Sequence, residues 1–215
     1  MKIRPKITPP FNSERLLKST LSNSMLSDAN DFLWRVDIVK SNSDFFGISF
    51  ISKIYVELLM AVESDLKSLI ISLSLRKETP EDAYMVARNC GHDISKLYSE
   101  VEKRAKNRIT LLKLKDKNEL LEKATQIKVS NRYKLISLLK IKTDDPLDRL
   151  FGVGKYSSLL TYEYISDLEK IALKLHQISS KSSKRYLDMV AMNGRNIGKY
   201  ERRVNQFKEK LGKKL

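Results

Sequence analysis

Turn-forming residues are scarce in this sequence, which has seven glycines and five prolines in 215 residues. Three of the prolines, Pro5, Pro9 and Pro10, lie within the first ten residues, so the rest of the chain has very few. Multi-stranded β proteins need turn residues at frequent intervals along the chain. Their scarcity therefore argues against a β-rich fold.

Residues that build disulfides, metal sites or membrane spans are also few. Cys90 is the single cysteine, which excludes a disulfide within the chain, and two histidines beside it leave too few ligands for a His/Cys metal site. No run of about 20 apolar residues occurs, and no apolar stretch follows the basic start at Met1. We expect a cytoplasmic protein that does not enter a membrane and uses no metal or cofactor.

Apolar residues recur at steps of three and four along most of the chain, which is the pattern of amphipathic helices. The clearest series runs from Tyr55 to Leu73. The polar residues between them, which we expect on the opposite face, include Glu57, Ser64, Asp65, Lys67 and Ser68. The sequence thus predicts an all-α fold, a single bundle of six to eight helices with a basic C-terminal helix.

Local composition divides the chain into three parts. We expect an N-terminal arm over residues 1–27, with a short helix or ordered loop from Ser13, and a helical bundle over residues 28–180 that starts near Asp28. The serine-rich residues 179–183 predict an interruption before a basic C-terminal helix over residues 181–215. This last helix either packs on the bundle or projects from it.

Cap signals mark a short helix in the middle of the chain. Thr79 suits an N-cap and Pro80 the first helical position, while Gly91 suits a C-terminal stop. Asp93 then suits the N-cap of the next helix. We therefore predict two helices joined by a tight turn around Gly91.

Positive charge is concentrated in two blocks of the sequence. The net charge is +15; residues 103–142 hold 13 Lys and Arg against 3 acids, and residues 181–215 hold 11 against 3. Basic blocks on a helical body indicate a polyanionic partner. We expect nucleic-acid contacts from nine of these side chains: Lys103, Arg104, Lys106, Arg108, Lys113, Arg195, Lys199, Arg202 and Arg203.

Residues 50–105 resemble the HEPN superfamily of helical proteins. The resemblance is carried by the Leu66-Lys67 pair, the proline-led short helix and the Gly91-His92-Asp93-Ile94 turn with Leu97 after it. Many members are metal-independent ribonucleases, including toxins and phage-defence effectors, and they usually act as dimers with an arginine and a histidine of each subunit at the interface. Others are noncatalytic binding or scaffold modules.

By this resemblance, Arg88, Asn89 and His92 are the candidate catalytic residues. A histidine can move the ribose 2′-OH proton, and an arginine can stabilise the charged phosphorane. The spacing of Arg88 and His92 is shorter than is usual in the nuclease members, and the Gly-His-Asp form is more similar to the noncatalytic ones. For Cys90, the alternatives are a small packed residue or a thiol activated by a nearby cation.

The leading hypothesis is a HEPN-like helical protein that binds RNA or another polyanion through its basic helices, within a phage-defence or toxin system. One alternative is a noncatalytic module that binds an acidic protein. The other is an endoribonuclease that uses Arg88 and His92, acting as a homodimer. A structural role in a nucleoprotein assembly is a further class.

Overall fold

The computed structural model describes residues 11–41, 48–74, 77–106, 108–126, 162–183 and 194–213. These residues form seven helices and no strand, which confirms the all-α prediction. The helices are α1 (Ser13–Ser41), α2 (Ile48–Ser72), α3 (Pro80–Asn89), α4 (Ile94–Ala105), α5 (Leu114–Gln126), α6 (Tyr162–Ser183) and α7 (Gly194–Gly212). None of the helices in these ranges is both long enough and apolar enough to cross a membrane.

Helix α2 lies at the centre of the bundle and packs against α1, α3, α4 and α6. Its apolar series is buried as predicted, with Leu58, Leu66 and Leu69 fully inaccessible to solvent. Burying a leucine side chain contributes about 1.5–3 kcal/mol. The core therefore forms around this helix.

The polar face of α2 differs from the prediction, because much of it is buried too. Ser64, Asp65 and Ser68 are inside the bundle, where α1 and α6 cover them. The Asp65 carboxylate lies 3.2 Å from His176 Nδ1 of α6. Burial raises the pKa of Asp65, while the hydrogen bond from His176 opposes that rise.

The first helix is longer than predicted and corrects the boundary near residue 27. Helix α1 runs without a break from Ser13, where Asn12 Oδ1 accepts the Arg15 N–H at 3.0 Å. Leu16, Leu17 and Leu26 are buried. Residues 13–27 are thus part of the bundle, because their apolar side chains join the core.

The interruption predicted at residues 179–183 is also wrong. Helix α6 continues to Ser183, whose hydroxyl lies 2.6 Å from that of Ser22 and 2.9 Å from that of Ser68. The Ser22 and Ser68 hydroxyls are themselves 2.9 Å apart. These serines satisfy one another across three helices, so they do not compete with the helix backbone.

Helix α1 runs antiparallel to both α2 and α6. Arg35 pairs with Glu57 near one end of α1, and Ser22 meets Ser68 near the other. Lys40 likewise pairs with Glu169, while Ser22 meets Ser183. The beginning of α1 and the ends of α2 and α6 therefore meet at one end of the bundle.

The turn between α3 and α4 forms as its cap signals predict. Thr79 Oγ1 accepts the Asp82 N–H at 3.2 Å, and Asp93 Oδ1 accepts the Lys96 N–H at 3.0 Å. Gly91 adopts a φ of 60°, which is unfavourable for side chains with a Cβ. This geometry places His92 between the two helices.

Helix α7 packs on α1 and α3. The Phe207 ring meets the Tyr84 ring edge-on, with centroids 5.9 Å apart, and the Tyr200 hydroxyl donates to Thr20 Oγ1 at 3.0 Å. Of the two arrangements expected for the basic C-terminal helix, the described residues show the packed one.

Candidate functional site

His92, in the turn between α3 and α4, is held by a buried carboxylate of helix α2. Its Nδ1 lies 2.8 Å from Glu63 Oε2 of α2, and the Glu63 side chain is only 4% exposed whereas that of His92 is 60% exposed. Because the carboxylate occupies Nδ1, the nitrogen that remains for a ligand is Nε2. A carboxylate that fixes the ring in this way favours the tautomer in which Nε2 accepts a proton.

Glu63 also binds Lys67, one helical turn further along α2. Lys67 Nζ lies 2.5 Å from Glu63 Oε1, so one carboxylate oxygen of Glu63 pairs with Lys67 and the other contacts His92. Sequence reasoning did not assign Glu63 to the site. The available signal was its i, i+4 spacing from Lys67, which also occurs on ordinary helix surfaces.

The other two candidate catalytic residues do not bond to His92. Arg88 and Asn89 are exposed at the end of α3, and neither side chain makes a hydrogen bond or ion pair with the rest of the described chain. The Arg88 carbonyl accepts the Gly91 N–H at 2.9 Å, which is a helix-terminating contact. The structure thus joins His92 to Glu63 and leaves Arg88 as a separate exposed cation.

Cys90 has the surroundings of a packed thiol. It is partly buried beside the core, and burial raises its pKa, with Glu100 adding to the rise. A raised pKa reduces the thiolate fraction at neutral pH. The geometry therefore favours the packing alternative over an activated nucleophile.

Two of the nine residues predicted to bind nucleic acid are buried inside the protein. Arg104 is 6% exposed; it pairs with Glu78 at 2.8 Å and with Glu100. Arg203 is 7% exposed, and its guanidinium lies between Glu14 of α1 and Glu81 of α3. Both assignments are wrong, because these guanidinium groups are buried in ion pairs: Arg203 joins α7 to α1 and α3, and Arg104 joins α4 to the connection before α3.

The other residues predicted to bind nucleic acid are exposed. In the α4–α5 region, Lys103 pairs with Glu100 at 2.7 Å, while Lys106 and Lys113 have no acidic partner within the described ranges. On α7, Arg195, Lys199 and Arg202 recur at i, i+4 and i+7, which places them on one face of the helix. We call these three residues the α7 stripe; across the described part of the chain none of them pairs with an acid.

Residues from both basic blocks meet at one place. Arg108 and Lys181 line a groove of about 1010 Å³ at the end of the bundle where α1 begins and α2 and α6 end. We call it the basic groove. His92 does not line it, so the charge that converges there lies away from the candidate catalytic histidine.

No metal centre is found in the described ranges, where no group of three or more His, Cys, Asp or Glu side chains is placed to hold an ion.

Comparisons with protein-family models, with curated proteins and with solved structures give no match. The HEPN resemblance of residues 50–105 therefore stays a prediction from the sequence. The support for a function comes from the chemistry of the chain's own side chains.

Proposed function

We propose that this chain is a HEPN-like helical protein that binds RNA through exposed cations of its basic helices, with the α7 stripe as the principal contact. The observation that carries the proposal is the division of charge on α7. Arg203 turns inward to Glu14 and Glu81, whereas Arg195, Lys199 and Arg202 are exposed. Unpaired cations in a row suit a chain of phosphates.

The length of the stripe supports a polymer over a single anion. The first and last members are seven positions apart, which is about 10 Å along a helix axis. Arginine and lysine on such a face bind successive phosphates and carry little sequence preference. We therefore expect binding that depends strongly on salt and weakly on base sequence.

An acidic protein is the alternative partner, and the composition of the stripe favours RNA over it. Protein interfaces usually centre on apolar or aromatic anchors surrounded by polar groups. Ile197 is the one large apolar side chain that is exposed on the described part of α7. A surface so dominated by cations lacks the anchor that a protein partner would use.

The test compares two triple variants for binding to a labelled single-stranded oligouridylate. The first, Arg195→Gln/Lys199→Gln/Arg202→Gln, removes the α7 stripe. The matched control, Lys96→Gln/Lys170→Gln/Lys174→Gln, removes three exposed lysines that pair with Asp93, Asp167 and Asp116. Both triples remove three positive charges from a net charge of +15.

We expect the stripe variant to lose at least about tenfold in affinity, since its cations bind phosphates directly. The control should lose much less, because its lysines already have acidic partners. Equal losses would show that only net charge matters, and an unchanged affinity in the stripe variant would place the RNA elsewhere. Either result would contradict the proposal.

RNA cleavage is the second candidate, and the Glu63–His92 contact favours it. With Nδ1 held by Glu63, His92 Nε2 would take the ribose 2′-OH proton as the 2′ oxygen attacks the adjacent phosphorus. The bond to the 5′ oxygen breaks, leaving a 2′,3′-cyclic phosphate, and the 5′ oxygen takes a proton from a second acid. A second copy of His92 in a paired chain would supply that acid.

Cleavage is tested with His92→Ala and Glu63→Gln on the same oligouridylate. His92→Ala should abolish formation of the cyclic phosphate, and Glu63→Gln should slow it, since the ring loses the carboxylate that orients it. Asn118→Ala, which alters an exposed residue of α5, serves as the control variant. If the wild-type protein forms no cyclic phosphate, the noncatalytic function remains and this one is rejected.

A further inference from the structure

The basic groove gathers four cations from three separate parts of the chain. Arg15 and Lys18 come from α1, Arg108 from the connection between α4 and α5, and Lys181 from the last turns of α6. Arg15 and Lys18 lie outside both basic blocks of the sequence. The fold, rather than the local composition, therefore creates this concentration of positive charge.

Among the described residues, one acid also lines the groove, and it has a cationic partner outside the lining. Glu14 pairs with Arg203 of α7, whose Nη2 lies 2.9 Å from Glu14 Oε2. Arg203 is not among the lining residues. The four cations therefore outnumber the one acid of the described lining. Arg203 is shared, however, between Glu14 and Glu81, and Glu78 and Asp82 also act on Lys18.

Two of the cations are held in place by backbone carbonyls. Arg108 donates through Nε to the Arg104 carbonyl at 2.9 Å and through Nη2 to the Leu73 carbonyl, and Lys18 Nζ donates to the Glu78 carbonyl. These bonds fix the cations before any ligand arrives, which lowers the entropy cost of binding. Burial also lowers the pKa of Lys18, a change that an incoming anion would reverse.

Hydroxyl groups complete the lining. Ser74 and Thr110 line the groove, and their hydroxyls have no hydrogen-bond partner within the described residues. The positive end of α1, at Asn12, lies here beside the C-terminal ends of α2 and α6, whose dipoles oppose it, so the helix ends have no role in the site. Cations and hydroxyls are donors that proteins use for phosphate oxygens.

From this lining we infer that the basic groove is a phosphate-binding site. The inference goes beyond the proposed function, because the groove and the α7 stripe use different side chains. The phosphate belongs either to a free nucleotide or to the backbone of RNA, since both present the same oxygens to these donors.

The test is a titration of the 15N-labelled full-length chain, followed by NMR, with three probes. Tripolyphosphate presents the phosphates alone, ATP presents them on a nucleotide, and oligouridylate presents them on RNA. We expect tripolyphosphate to shift the amides of Ser74, Thr110 and Ser182. A tighter ATP response would indicate a nucleotide ligand, and a tighter oligouridylate response would indicate RNA.

Lys181→Gln and Lys174→Gln are the matched variants for this titration, since both lysines are exposed on α6. Lys181 lines the groove, whereas Lys174 pairs with Asp116 at 2.9 Å. We expect Lys181→Gln to weaken tripolyphosphate binding by about tenfold. Because neither lysine is buried, both variants should fold.

The inference is overturned if tripolyphosphate shifts only α7 amides, or if Lys181→Gln and Lys174→Gln bind it equally well. Either result leaves RNA binding by the α7 stripe standing. Conversely, loss of tripolyphosphate affinity in Lys181→Gln, in a protein that does not bind oligouridylate, would uphold the groove and reject the RNA proposal. The two proposals therefore fail separately.

Discussion

At the scale of single residues, Arg202 and Arg203 show how differently two neighbouring arginines can act. Arg202 is exposed and donates to the Gly198 carbonyl of its own helix at 3.3 Å. Arg203 is buried, with Nη2 2.6 Å from Glu81 Oε2 and a second carboxylate from Glu14. One is available to a ligand, and the other joins three helices.

Replacing these two arginines should separate their roles. Arg203→Ala leaves two carboxylates without their shared cation, and breaking a buried ion pair in this way costs about 3–5 kcal/mol. Arg202→Ala should change the free energy of unfolding by less than about 0.5 kcal/mol. Urea unfolding of both variants measures the difference, and equal stabilities would contradict a structural role for the buried ion pairs of Arg203.

The ion pair of Arg203 with Glu81 also predicts that the stability of the protein depends on pH. Burial raises the pKa of Glu81, but hydrogen bonds from Arg203 and the backbone outweigh it and lower the pKa to about 2, from 4.5. The stabilising contribution is therefore complete above about pH 4.5 and is lost as the pH falls toward 2. Lys210, 3.5 Å from Glu81, acts in the same direction.

The urea midpoint of the wild-type chain should accordingly fall across this pH window, and that of Arg203→Ala should fall less. Parallel curves for the two proteins would show that other carboxylates cause the acid sensitivity.

At the scale of helices, the sequence predicts the helix ends that local capping residues fix. It does not predict the helix boundaries that involve distant contacts. Thr79, Gly91 and Asp93 act on backbone groups within three residues, so the sequence alone identifies their roles. Within residues 179–183, the Ser183 hydroxyl bonds to Ser22 and Ser68, which are remote in sequence. A serine whose hydroxyl bonds to a buried partner need not end a helix, and the local sequence pattern does not reveal that partner.

The residues of the candidate site divide in the same way, into those that the local sequence indicates and those that depend on distant contacts. The sequence singles out His92 and four cations of α7 by residue type and helical spacing, but it does not distinguish the buried Arg203 from the exposed Arg195, Lys199 and Arg202. It did not find Glu63 as the partner of His92, or Glu78 as a partner of Arg104, since each pairing joins residues that are remote in sequence. The basic groove was missed for that reason too.

Two glycines provide a test of helix geometry with opposite expected signs. Gly91→Ala should destabilise the protein by about 1–2 kcal/mol, because its φ of 60° disfavours a Cβ although there is room for one. Gly198→Ala should stabilise it by up to about 1 kcal/mol, since this glycine lies inside α7 with open space around it. Thermal unfolding reports both changes. A shift of the same sign in both would contradict the turn that positions His92.

At the scale of the whole molecule, the fold sorts a large positive charge into structural and available parts. Of the chain's 41 Lys and Arg residues, some are buried in ion pairs that hold the fold together, as Arg104 and Arg203 are. The α7 stripe and the basic groove keep their charge at the surface, on different helices. This arrangement favours a protein whose partner is rich in phosphate.

The salt dependence of RNA affinity tests this account most directly. Single-stranded nucleic acid releases about 0.7 counterions for each phosphate that a protein neutralises. A plot of log affinity against log salt concentration should therefore be steep for the wild-type chain and shallower by about two units for Arg195→Gln/Lys199→Gln/Arg202→Gln. A wild-type affinity that does not change with salt, or a variant with the wild-type slope, would contradict the account.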